Sequence, residues 1–115
     1  MIVVTVVIGD KEIIERVSVS GHAFGLEKGG NIVCAAVTIL LRTAARLLEN
    51  ISGVEVSGGP AERGEYELRI GHVDISRRCY VKTVGEFLLQ GIKDLGTEFP
   101  DDCMLEETQR RDHGT

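Results

Sequence analysis

The sequence predicts an α+β domain: a two-layer sandwich in which a mixed β-sheet packs against two helices, in the order β-β-α-β-β-α-β. Three observations carry this. Runs of alternating or β-branched apolar residues, bounded by turn residues, occupy 2–8, 13–20 and 65–71. Two longer stretches, 32–50 and 78–99, carry apolar residues at helical spacing. Paired strands precede each helix, so the pattern is not a plain strand-helix alternation. At 115 residues, 43% of them hydrophobic, the chain is long enough to bury one core without metal or disulfide staples. A single domain is expected over 1–107, with a charged, frayed tail over 108–115.

Ile2 to Ile8 reads as a buried strand, Gly9-Asp10-Lys11 as a turn and Ile13 to Ser20 as a second strand, where Arg16, Ser18 and Ser20 alternate with Val17 and Val19. This hairpin delivers Gly21-His22 at its end. Asn31 follows Gly29-Gly30 and is expected to cap a helix from Ile32 to Asn50. In that helix Thr38, Arg42, Arg46 and Glu49 or Asn50 form one narrow wet stripe, and the rest is apolar. A helix so apolar is buried on more than one side, which predicts a homodimer through this helix or its neighbour; the plainer alternative is that the second helix covers it alone. Ser52-Gly53 ends it. Val54 to Val56 reads as a short strand, Ser57 to Pro60 as a turn, and Glu65 to Gly71 as a half-buried strand alternating Tyr66, Leu68 and Ile70 with Glu67 and Arg69. His72 follows as a surface residue. From Arg78 to Phe99 the helical spacing of Val81, Val84, Leu88, Ile92 and Leu95 predicts the second helix. Gly85 and Gly91 each cost it about 1 kcal/mol relative to alanine, so they mark close approach of another backbone. Pro100-Asp101-Asp102 breaks the chain, and Cys103 to Leu105 reads as a short last strand.

The net charge of −5 argues against a nucleic-acid binder, which needs a basic face, and is compatible with a basic protein substrate. No stretch approaches a membrane span or a signal peptide, because Met1 to Ile8 is short and runs straight into Asp10-Lys11-Glu12. A cytoplasmic protein is expected. Cys34, Cys79 and Cys103 form no even framework and no C-x-x-C pair, which fits a reducing compartment and argues against a structural zinc site. No metal or other cofactor is called for.

The chemistry concentrates in Gly21-His22-Ala23 through Ala36. His22 precedes Cys34 by twelve residues, with Gly25, Gly29 and Gly30 between them as a mobile, lid-like loop. With Asn31 as cap, Cys34 would sit in the first helical turn, where unpaired N–H groups favour a thiolate. A histidine nearby could then act as its base. The competing reading is a buried structural cysteine in Ile32-Val33-Cys34-Ala35-Ala36-Val37. Cys79, at the start of the second helix, has no accompanying histidine.

Gly21-His22-Ala23 together with Gly30-Asn31-Ile32-Val33-Cys34-Ala35-Ala36-Val37-Thr38 resembles the ribosomal-processing cysteine proteases of bacteria, small proteins that remove an N-terminal extension from a large-subunit ribosomal protein. The order of elements fits over most of the chain. The resemblance implies that Cys34 is the nucleophile and His22 the general base, and that the partner is that N-terminal extension. The family pattern usually has aspartate where this chain has Asn31 and serine where it has Thr38. Thr38 keeps the hydroxyl; Asn31 loses a carboxylate, although an amide can still orient a histidine, as in Cys-His-Asn sites. Backbone N–H groups at Cys34 and Ala35, with Gly21 beside them, would hold the oxyanion or contact the substrate. Two other readings stay open: an inactive homologue that binds a peptide or the ribosome, and a structural or redox-sensing thiol.

Overall fold

The computed structural model describes residues 1–21, 28–60 and 65–110, with the backbone alone described at 28–31 and 60. Five strands and two helices follow one another as β1 (Ile2–Ile8), β2 (Ile14–Ser20), α1 (Lys28–Glu49), β3 (Val54–Pro60), β4 (Tyr66–Val73), α2 (Arg78–Glu98) and β5 (Cys103–Gln109). The strands form one sheet in the order β3-β4-β2-β1-β5. β1 pairs antiparallel with β2 and parallel with β5, while β4 pairs antiparallel with both β2 and β3. The sheet is mixed, as expected.

Period-two alternation decides which face of the sheet is covered. Ile2, Val4 and Val6 of β1, Val17 of β2, Leu68 of β4 and Cys103 of β5 are buried in one core with residues of both helices. Val3, Thr5, Val7 and Arg16 lie on the uncovered side. In α1, Val33, Val37, Leu41, Ala44 and Leu48 are buried at spacings of three and four, and Thr38, Arg42, Arg46 and Glu49 form the exposed stripe that the sequence indicates. In α2 the buried set is Val81, Val84, Leu88, Ile92 and Leu95. The two α2 glycines are contact points. A methyl group on Gly85 would stand 3.0 Å from Ile14 Cδ1, and one on Gly91 would stand 2.8 Å from Leu40 Cδ1. Gly85 thus lets α2 approach β2, and Gly91 lets α1 approach α2.

Three boundaries differ from the sequence reading. α1 begins at Lys28, so Gly29 and Gly30 are helical and do not belong to a loop. β3 continues through Ser57-Gly58-Gly59-Pro60, where a turn is expected from the sequence, because β4 supplies partners: Ser57 faces Arg69, Gly58 faces Leu68, Gly59 faces Glu67 and Pro60 faces Tyr66. An edge strand tolerates proline, whose missing N–H would point to solvent. β5 runs to Gln109 in register with Ile8, and the Arg110 N–H donates to the Ile8 carbonyl at 2.8 Å. The Arg110 Nε also donates to Glu15 Oε2 at 2.7 Å. A boundary at 107 therefore falls inside a strand, and the sheet accounts for the chain as far as Arg110.

Candidate active site

One end of the sheet gathers the elements that carry the predicted site. Val19 near the end of β2 faces Tyr66 at the start of β4, and Pro60 at the end of β3 faces the same residue. α1 starts at this end and finishes at the other, where four residues connect Glu49 to β3. Gly21 leaves β2 with φ +88, and a methyl group there would overlap the Met1 carbonyl oxygen. Backbone conformation and space both demand glycine immediately before His22. His22 and Gly25 themselves fall in 22–27, outside the described residues.

Cys34 is the seventh residue of α1 counted from Lys28, and Asn31 is the fourth. Asn31 is therefore inside the helix and cannot be its N-cap, and Cys34 lies beyond the first turn, where the pull of the helix terminus has faded. In a helix that starts at Lys28, the N–H groups of Cys34 and Ala35 bond back to the carbonyls of residues 30 and 31. In that arrangement the two N–H groups are engaged within the helix, and Gly21 is the donor of the three that lies outside it.

The thiol is half-buried, packed against the rim of the core. Its flank of α1 follows from helical spacing. Val37, Leu41 and Leu48 point down to the sheet and Leu40 points to α2 through Gly91. Cys34, Thr38, Arg42 and Arg46, spaced by four, then form one ridge on the flank away from α2. The Thr38 hydroxyl donates to the Cys34 carbonyl at 2.7 Å. That bond braces the thiol's own turn without touching sulfur. Thr83 makes the same bond to the Cys79 carbonyl, at 2.9 Å, so the motif alone does not mark a site.

Among the described residues Cys103, the partner of Ile2 in the sheet, also lies at this end, whereas Cys79 and His72 do not. Cys79 is exposed in the first turn of α2. Cys103 is buried, and desolvation, followed by the neighbouring Asp102 carboxylate, pushes its thiol pKa up, which keeps it protonated. His72 is exposed as expected, but with a partner that was not: its Nε2 lies 2.8 Å from Asp74 Oδ1, at the end of the sheet away from Cys34. An open cavity of about 970 Å³ also lies at that far end, with Arg16, Arg69 and Arg110 set among Glu15, Glu49 and Glu55. Among the described residues no group of three or more His, Cys, Asp or Glu side chains could hold a metal ion, and no helix is long and apolar enough to cross a membrane.

The family model for cysteine protease Prp matches residues 1–104. The chain belongs to the Prp family and is a cysteine protease. Among solved structures, SMU.848 from Streptococcus mutans is 30% identical, with a TM-score of 0.77, and 96% of each chain is covered. The essential ribosomal processing protease Prp from S. aureus, in complex with a covalently linked product peptide, is 18% identical with a TM-score of 0.77, covering 94% of this chain and 100% of that one. The same S. aureus protease with a substrate peptide is 17% identical over the same shares, also at 0.77. These two share the Prp fold with the present chain. No curated protein sequence matches it.

In this Prp chain the sequence puts Cys34 and Thr38 on one helix, as the structure has them, and misses the upper half of β3. The missed signal was Pro60 after paired glycines, which reads as a turn unless a partner strand supplies the register.

Proposed function

We propose that the protein is an endopeptidase that removes an N-terminal extension from a large-subunit ribosomal protein, with Cys34 as nucleophile and His22 as general base. His22 takes the Cys34 proton, the thiolate attacks the scissile carbonyl carbon, and the C–N bond breaks as His22 returns the proton to the leaving amine. Water then hydrolyses the thioester. Membership of the Prp family carries this reading, and the position of Cys34 supports it: a half-buried thiol on the outer flank of α1, at the end of the sheet where Gly21 hands the chain to His22. Because α1 begins at Lys28, the activation expected from a helix terminus falls to His22 instead. Gly21 is the proposed oxyanion contact, Thr38 and Asn31 are supporting residues, and the protein works as a homodimer in the cytoplasm without a cofactor.

Asn31 favours one second reading, an inactive homologue that still binds the peptide, since an amide cannot neutralise a charged imidazole. The deciding experiment is mass-spectrometric cleavage of the extended ribosomal-protein precursor by the parent and its Cys34→Ala, His22→Ala and Asn31→Asp variants. Cleavage by the parent that is lost in the first two variants is expected. A silent parent that Asn31→Asp restores would establish the inactive homologue, and cleavage surviving Cys34→Ala would overturn the assignment of the nucleophile.

A further inference from the structure

Among the described residues β3 is the outermost strand, so its side turned away from β4 presents main-chain N–H and C=O groups with no partner strand there. The two halves of that edge differ. The lower half carries a register shift between Val54 and Val56 and the charged side chain of Glu55, both of which blunt an edge. The upper half, Ser57-Gly58-Gly59, has neither: it carries no charge, two residues without side chains, and a Gly59 around which an added methyl would meet nothing within 4 Å. At the opposite border β5 is guarded by Glu106 and Glu107, with Lys93 Nζ 3.4 Å from Glu107 Oε1. Among the described residues Ser57 to Gly59 is thus an uncharged, regularly paired stretch of the sheet border.

That half lies where the proposed chemistry is. α1 packs beside β3 and α2 beside β5. Since Leu40 turns toward α2, the ridge headed by Cys34 lies on the flank that overhangs the β3 border. Ser57 to Gly59 also occupy the end of β3 that faces the start of β4, the end at which α1 begins. An extended peptide added to this border would pass beneath the Cys34 flank with no β3 side chain from residues 58 and 59 in between.

We propose that Ser57–Gly59 is the substrate-docking strand, which an extended segment of the peptide substrate joins as a sixth strand, main chain to main chain. This rests on the endopeptidase reading above. The occupant is an extended peptide because the border offers backbone pairing beside the proposed nucleophile, the mode in which affinity comes from main-chain hydrogen bonds. A second copy pairing β3 to β3 is the rival occupant.

Two measurements on one probe test the proposal. The probe is a synthetic peptide copying the N-terminal extension of the ribosomal-protein precursor, binding to the Cys34→Ala protein so that it persists. Amide hydrogen exchange at Ser57, Gly58 and Gly59 is expected to slow on peptide addition. A series of probes N-methylated at one position each should lose about tenfold in affinity at alternate positions, because successive residues of an added strand point their N–H groups in opposite directions. Peptide binding without protection of 57–59, a response to N-methylation that lacks the two-residue period, or no binding at all would each overturn the proposal. Protection that depends on protein concentration and not on peptide would assign the border to a second copy and overturn it as well. Cleavage of the same probe by the parent is read separately. Cleavage without protection removes the docking strand and keeps the endopeptidase, whereas protection without cleavage does the reverse.

Discussion

Gly21 joins the scaffold to the chemistry at a single residue. Its φ of +88 belongs to the region that side chains avoid, and the Met1 carbonyl oxygen occupies the space a methyl would need. Gly21→Ala is expected to destabilise the fold by about 1–3 kcal/mol, read as a lower urea midpoint, and to lower cleavage further than the lost stability explains, because the strain is relieved by moving the chain next to His22. A variant with parental stability and parental turnover would remove Gly21 from the site. At this scale the sequence was informative wherever one residue type sufficed: the alternation of Val17 and Val19 with Arg16 and Ser18, and the glycine before the histidine. It misled at Asn31. A cap-forming residue after two glycines is a strong local signal, yet the chain becomes helical one turn earlier, because packing of α1 on the sheet outweighs the propensity cost of Gly29 and Gly30.

Among the elements, the β1–β2 hairpin carries a removable cost. Lys11 and Glu12 both have positive φ, 61 and 60, as the two central residues of a tight turn from Asp10 to Ile13, closed by the Ile13 N–H donating to the Asp10 carbonyl at 3.4 Å. Such a turn suits the twist of the flanking strands but favours asparagine and glycine over side chains like these. Glu12→Gly is expected to raise stability by about 1 kcal/mol, since relief of the left-handed conformation outweighs the loss of an exposed Lys82 pair at 3.6 Å. Equal urea midpoints for variant and parent would sink this. Helix positions were legible because their signals are local, whereas Gly85 and Gly91, expected to admit another backbone, meet the Ile14 and Leu40 side chains instead. The ends of β3 and β5 were not, since partners remote in sequence define them: β4 for Ser57 to Pro60, and β1, about a hundred residues away, for Glu106 to Gln109.

For the whole molecule, the outer face of the helical layer is unfinished. α2 covers the Leu40 side of α1, yet Ile32, Ile39, Leu47 and Phe87 remain 41–61% exposed along the seam between the helices, where the Tyr80 hydroxyl reaches the Leu47 carbonyl at 3.4 Å. The alternative in which the second helix alone covers α1 does not hold for this side. A second copy placed on the seam would bury these side chains. Sedimentation at micromolar concentration is expected to show a dimer for the parent and a single-chain species for Phe87→Glu, with the folded circular-dichroism spectrum unchanged; a parent that sediments as one chain would dismiss the dimer.

The parallel pairing of β1 with β5 means that a strand made early is completed by one made about a hundred residues later. Ile2 to Ile8 is the most continuously β-branched strand of the sheet, and until Cys103 to Gln109 are laid along it, its outer border is a bare row of backbone groups beside valine and isoleucine side chains. Such a border is a template for aggregation, and the acidic residues of β5 are what turn it away from other chains. A nascent chain therefore carries this open border through the interval between synthesis of β1 and synthesis of β5.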